Sequence, residues 1–246
     1  METFQKIGTC LKDSNIFVSH DFVLAFRPFL GHNRDMKVAH FSDVHGHISS
    51  LSQIPADVKA LISTGDFFPN STRGIREVEI PFQTEWFNKN KEEIFRVFGG
   101  RPIACVDGNH DYVSLGTLLV EAGYPGLVVN VNPDNVQDFL GFKVAGFREI
   151  PYISGEWNGE TFGPEIHGIC DTVLQTECDF LLTHTPPKNI LSGDYGCSAL
   201  SNLLAYSHHN VRYHFFGHCH PEHGTTEKMG ILFSNAATTV NVIDLT

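Results

Sequence analysis

Residues 38–47 read Val38-Ala39-His40-Phe41-Ser42-Asp43-Val44-His45-Gly46-His47. The apolar run from Lys37 to Phe41 predicts a buried strand, which closes in Ser42-Asp43-Val44-His45-Gly46. In an extended backbone, residues i and i+2 point the same way. Asp43 and His45 would then aim a carboxylate and an imidazole at one point, and Gly46 lets the chain turn sharply. An oxygen ligand beside a nitrogen ligand suits Mn, Fe or Zn better than Ca or Mg. One Asp-x-His is a weak signal; its weight comes from further residues of the same kind, each just after an apolar run.

Outward from this stretch, the same arrangement recurs. Val58–Ser63 predicts a second strand, closed by Thr64-Gly65-Asp66, and the two carboxylate oxygens of Asp66 can bridge two ions. Arg101–Val106 predicts a third, running into Asp107-Gly108-Asn109-His110-Asp111, where Asp-Gly alone would satisfy a turn. Asp179–Thr183 ends in His184-Thr185-Pro186-Pro187, and Arg212–Phe216 ends in Gly217-His218-Cys219-His220, with Cys219 turned away from the histidine pair. Between them, residues 47–55 read as a short helix. Glu79–Phe98 reads as an amphipathic helix facing the core through Ile80, Phe82, Trp86, Phe87, Ile94, Phe95 and Phe98. Helices are expected at Leu115–Ala122, Glu165–Glu177 and Cys197–His208, and short antiparallel strands at Leu127–Asn130, Val136–Leu140 and Phe142–Gly146. Ile231–Ser234 and Thr239–Leu245 finish the sheet. The stretch from Arg148 to Pro164 is irregular and aromatic, a composition suited to a binding loop. Its Tyr152 and Trp157 have the shape to stack on a base. Residues 1–35 read as an accessory segment, a hairpin packed on a main domain of residues 36–246.

The totals narrow the class. At 246 residues the chain is long enough for one large domain with a substantial core. It is 41% hydrophobic and 18% charged, with no apolar run long enough to span a bilayer. The first residues lack the basic-then-apolar pattern of a signal peptide, which favours a cytoplasmic location. Six cysteines without CxxC spacing read as reduced thiols. The net charge of −11 repels a phosphate backbone, so stable nucleic-acid binding is disfavoured and an anionic substrate needs local positive charge from metal ions.

Taken together, the blocks SDVH, TGD, DGNHD, LLTHTPP and FGHCH resemble the calcineurin-like metallophosphoesterase superfamily over roughly residues 36–245. LLTHTPP followed by GDYGCSAL is similar to the small cyclic-nucleotide phosphodiesterase-like branch, which includes the fetal-brain metallophosphoesterases and bacterial and phage relatives. Some relatives have a damaged metal site, whereas GHCH keeps both histidines here. The resemblance implies an α/β fold, a four-layer αββα sandwich of two mixed β-sheets flanked by helices. It implies two divalent transition-metal ions (Mn first, with Fe, Zn or Ni as alternatives). Asp43, His45 and His220 would hold one ion, Asn109, His184 and His218 the other, and Asp66 would bridge them. A shared hydroxide would attack phosphorus in line. His110 would be the general acid, with Asp111 orienting its ring. Arg73 and Arg148 are candidate phosphate contacts, although the spacing after Asp66 differs from the Gly-Asp-x-x-Asp-Arg block of the protein phosphatases.

The implied activity is hydrolysis of a small, nucleotide-like phosphodiester, 2′,3′-cyclic nucleotides first. A phosphomonoesterase or protein phosphatase is the alternative in the same chemistry, opposed by the missing Asp-Arg block. A nuclease is opposed by the acidic charge. A non-catalytic scaffold, the role of one retromer subunit in the superfamily, has no need for the full ligand set plus His110.

Overall fold

The computed structural model of this protein describes residues 36–72 and 74–245. The accessory segment 1–35 and Arg73 lie outside the described residues. In chain order the elements are β1 (Met36–Phe41), β2 (Ala60–Ser63), α1 (Arg76–Phe98), β3 (Ile103–Cys105), α2 (Leu115–Glu121), β4 (Val128–Asn130), β5 (Gln137–Phe139), β6 (Phe142–Phe147), β7 (Ile150–Pro151), β8 (Glu160–Thr161), α3 (Gly163–Leu174), β9 (Phe180–Thr183), α4 (Ser198–Tyr206), β10 (Tyr213–Phe216), β11 (Gly224–Lys228), β12 (Ile231–Asn235) and β13 (Val240–Leu245). The short helix expected at 47–55 is a 3-10 turn, Ile48–Gln53.

Two mixed sheets carry the chain. One has the order β13-β1-β2-β3-β4, with β1 through β4 parallel and β13 antiparallel to β1. The other has the order β11-β12-β10-β9-β6-β5; its four inner strands are parallel and its edge strands β11 and β5 antiparallel. Parallel strands within each sheet bring their carboxyl ends to one edge, where ligand sites form in open α/β sheets.

The period of two along each strand sorts its side chains into layers. Val38, Ala60, Ile62 and Ala104 of the first sheet meet Phe180, Leu182, Tyr213 and Phe215 of the second in one cluster. Their alternates Ala39, Phe41 and Leu61 turn to α1 and α2, while Ala145, Leu181 and Phe216 turn to α3 and α4. Helix, sheet, sheet and helix therefore form the four expected layers. Full burial of each large apolar side chain contributes about 1.5–3 kcal/mol relative to exposure. His40 is a polar side chain between the sheets. Its ring nitrogens contact Ser234 Oγ of the second sheet at 2.8 Å and Thr64 Oγ1 at 2.9 Å. Burial pushes it down to about 3, so it ties the sheets together as a neutral ring.

Two expectations change. Leu127–Asn130 was expected to be antiparallel; β4 instead pairs parallel with β3, Ile103 against Val128, because α2 carries the chain back over the sheet. Only β5 and β6 form the expected antiparallel pair. In α1 the buried face is Glu79, Gln83, Phe87, Ile94 and Phe98, so two polar residues replace Ile80 and Phe82 at its start. Among the described residues, no helix is long and apolar enough to cross a membrane. Cys105, Cys170, Cys178, Cys197 and Cys219 are buried free thiols.

Candidate metal centre

Beyond Phe41 and Ser63 the first two strands continue to pair. Asp43 N–H donates to Gly65 O, His45 N–H to Asp66 O and Gly46 N–H to Phe67 O, each at 2.9 Å. This pairing is not extended. Asp43, His45, Asp66 and His218 all adopt left-handed φ, at 55°, 45°, 52° and 68°. Such conformations cost non-glycine residues about 1–3 kcal/mol each and cluster at functional sites. Asp43 and His45 converge, as expected, but through this curled backbone rather than through extended i, i+2 geometry. The second sheet closes on the same edge. Ser42 N–H donates to Ala236 O, Gly217 N–H to His184 O, and His218 N–H to Asp43 Oδ2 at 2.9 Å. A Cβ on Gly217 would overlap the Asp43 carboxylate, and one on Gly108 would overlap Asp66 Oδ1. Both glycines are there for close approach.

Two groups of donors result. In the first, Asp43 Oδ1 lies 3.0 Å from His220 Nε2 and 4.0 Å from His45 Nε2. In the second, His184 Nε2 lies 2.9 Å from Asn109 Oδ1, 3.2 Å from Asp66 Oδ2 and 3.3 Å from His218 Nδ1, while His218 Nδ1 is 3.0 Å from Asn109 Oδ1. The Asp66 carboxylate stands between the groups: Oδ1 accepts the His110 N–H at 2.7 Å, and Oδ2 faces His184. Asp43, Asp66, Asn109 and His184 are at most 3% exposed, whereas His45 is half-buried and His220 exposed. The site thus opens on the side of His45 and His220.

Burial alone would raise both carboxyl groups. For Asp43 the His220 hydrogen bond and the His184 charge outweigh it, and for Asp66 the His184 charge and hydrogen bond do so first, then His110 and His45. Burial alone would lower His184; Asp66, and then Asp43 and the Thr64 carbonyl, lift it to about 9. His218, half-buried beside that charge, falls to about 4. The carboxylates therefore draw positive charge into the second group. Donor atoms about 3 Å apart match ligands about 2.0–2.2 Å from one ion. Carboxylate, amide oxygen and imidazole together suit a divalent transition metal. Asp43–His45–His220 and Asp43–Asp66–His184 each bring potential ligand atoms within 4.8 Å of one another. His184 Nδ1 is anchored on Thr64 O at 2.7 Å, which points Nε2 at the donors. These residues fit a pair of divalent ions.

His110 lies at the rim. Its Nε2 is 3.9 Å from Asp66 Oδ2, and with His45 and Asp66 it forms a further group of potential ligands. Its ring meets His45 edge-on at 4.8 Å and lies against Trp157 at 4.3 Å. The role expected for Asp111 needs correction. Its carboxylate accepts Phe68 N–H at 3.1 Å and Gly108 N–H at 2.8 Å, holding the loop. Burial, then Asp66 and Asp107, push Asp111 up to about 7. The atom beside His110 Nδ1 is instead Asn70 Oδ1, at 2.5 Å. Arg148 needs a similar correction: its guanidinium donates to the carbonyls of Gly108 and Asp111, at 3.4 and 3.0 Å, and braces the loop. The aromatic stretch has its own order. Glu160 accepts the N–H groups of Ile153, Ser154, Gly155 and Trp157, and Asn158 ties the stretch to Asp111 O at 2.6 Å. Tyr152 stacks on Phe162 at 4.6 Å.

A donor set of this kind at the shared edge of an αββα sandwich is the frame of a metal-dependent phosphoesterase. The chain belongs to the calcineurin-like phosphoesterase family, whose model matches residues 36–222. It is similar to a UPF0046 protein of Caenorhabditis elegans, with 29% identity over 230 residues, covering 82% of this chain and 69% of that protein. Its fold is similar to the crystal structure of TT1561 of Thermus thermophilus, with a TM-score of 0.55 at 14% identity, covering 85% of this chain and 99% of that one.

Proposed function

We propose that this chain is a dinuclear phosphodiesterase acting on small, nucleotide-like phosphodiesters, with Mn as the first-choice metal. The observation that carries the reading is the meeting of two donor groups at Asp66 with His110 alongside. In this reading Asp43, His45 and His220 hold one ion, Asn109, His184 and His218 hold the other, and Asp66 faces both. Bound there, two divalent ions would acidify a water and offset charge developing on the phosphoryl oxygens. The protein's own part is positional. Thr64 fixes the His184 imidazole of the buried group through its Nδ1, while the more exposed His45 and His220 leave the approach open. As the bond from phosphorus to the departing oxygen breaks, His110 Nε2 gives that oxygen its proton. The net charge of −11 favours a small ester over a nucleic-acid polymer, and mixed nitrogen and oxygen donors favour Mn, Fe, Zn or Ni over Ca.

The test is a screen of Mn-loaded protein against 2′,3′- and 3′,5′-cyclic nucleotides, linear phosphodiesters, phosphomonoesters and a phosphoprotein. Turnover of cyclic nucleotides above the monoesters is the expected result. Turnover confined to monoesters, phosphoprotein or long DNA would defeat the diester reading.

A further inference from the structure

The ring of His110 is held by a residue outside every block that marks the family resemblance. Asn70 uses both ends of its amide on His110: Oδ1 meets ring Nδ1 at 2.5 Å, and Nδ2 donates to the His110 carbonyl at 3.0 Å. The same carbonyl accepts from Gln83 Nε2 at 2.7 Å. Gln83 cannot be reversed, because its Oε1 accepts Tyr112 N–H at 2.7 Å. Asn70 cannot be reversed either, since its oxygen would then face a carbonyl oxygen. With Oδ1 fixed as the acceptor, ring Nδ1 must carry a hydrogen. Nε2 is then the nitrogen that exchanges its proton, and it is the one turned toward Asp66 Oδ2 at 3.9 Å.

This hold is itself built in. Glu79 and Gln83 are one helical turn apart on the buried face of α1, and both are fully buried. Glu79 accepts Ser71 N–H at 3.1 Å and both N–H and hydroxyl of Thr72, the residues just after Asn70. Gln83 also reaches Pro69 O at 3.2 Å, just before it. Asn70 therefore sits in a segment clamped on either side by one helix face. Trp157, packed against the His110 ring with centroids 4.3 Å apart, limits its tilt.

We propose that Asn70 is the positioning residue of His110, fixing its Nδ1–H tautomer and turning Nε2 to the leaving-group side. Its consequence for catalysis rests on the general-acid reading above; its consequence for the ring does not. An amide performs this role where a carboxylate would add charge beside the metal centre.

The test uses Asn70→Ala, Asn70→Asp, His110→Ala and the Asn70→Ala/His110→Ala double variant, each loaded with metal and assayed with 2′,3′-cyclic AMP and with bis-nitrophenyl phosphate. Asn70→Ala is expected to slow the cyclic nucleotide about 10–100-fold through kcat, a fraction of what a general acid supplies, and the nitrophenyl ester by less than about threefold. Asn70→Asp, which keeps an acceptor, should recover most of the loss. In the His110→Ala background, Asn70→Ala should change neither rate, because the two act as one unit. Nitrogen-15 NMR of the Zn-loaded protein should show His110 protonated at Nδ1, and this signal should broaden or move to Nε2 in Asn70→Ala. Equal slowing of both esters, or a full effect persisting without His110, would overturn the proposal. If His110→Ala itself shows no leaving-group dependence, the general-acid reading fails, and the NMR tautomer still decides whether Asn70 holds the ring: a neutral ring with Nδ1 bare and hydrogen on Nε2 alone in the unaltered protein would overturn that too.

Discussion

Asp66→Asn is expected to lose at least one of two bound metal ions and to lower kcat/KM by about 10³-fold or more, because metal-assisted stabilisation is worth several kcal/mol. The direction follows from the hydrogen bonds. Asp66 Oδ1 receives the His110 N–H at 2.7 Å. An asparagine would keep its carbonyl oxygen there, since an NH₂ group would confront another donor. Its NH₂ would then replace Oδ2 and point at His184 and the donor groups. A group with no available lone pair would then occupy the place where, in the proposed centre, both ions would need an anion. The loss should exceed that from replacing His220, which serves one group and is more exposed. Elemental analysis and steady-state rates on the same preparation check it, with circular dichroism confirming the fold. An Asp66→Asn protein that keeps both metals and near-normal turnover would remove Asp66 from the bridging position.

His110→Ala should keep both metals and slow esters with alkoxide leaving groups by about 10²–10⁴-fold. It should slow nitrophenyl esters by less than about tenfold, since nitrophenolate departs without a proton. His110 is held by Asn70 and its own backbone N–H, and its ring lies 3.9 Å from Asp66 rather than inside the tight cluster around His184. Its removal should leave that cluster intact. The comparison is made within one variant, so partial unfolding cannot imitate it. Loss of a metal ion, or equal slowing of both ester types, would make His110 a ligand instead of an acid.

What could be read from sequence was chiefly what each strand end carries. An apolar run followed at once by Asp, His or Asn is a local pattern, and the parallel sheets bring such ends to one edge without further instruction. His184 shows the limit of that reading. Its place after Leu181-Leu182-Thr183 was legible, but its anchor on the Thr64 carbonyl comes from 120 residues away and has no side-chain signature. The curled backbone at Asp43, His45 and Asp66 was not legible either, because positive φ is ordinarily marked by glycine or asparagine and only Gly46 and Gly65 advertise a turn. Asp111 was assigned by adjacency to His110. Consecutive side chains diverge, and its carboxylate closes the loop onto Phe68 and Gly108 instead. Asn70 lay in a polar turn with nothing to set it apart. Gln83 and Glu79 were passed over because an amphipathic helix is expected to bury its apolar residues, and here the buried stripe begins with two polar ones that the loops satisfy.

The central claim is that the two donor groups meeting at Asp66 form one dinuclear catalytic centre. Chelated protein titrated with Mn, with bound metal and hydrolysis of bis-nitrophenyl phosphate followed together, tests it most directly. Bound metal should approach two equivalents per chain, and the rate should rise to its plateau only as the second equivalent binds. Saturation at one equivalent, or two bound ions with no hydrolysis, would contradict it.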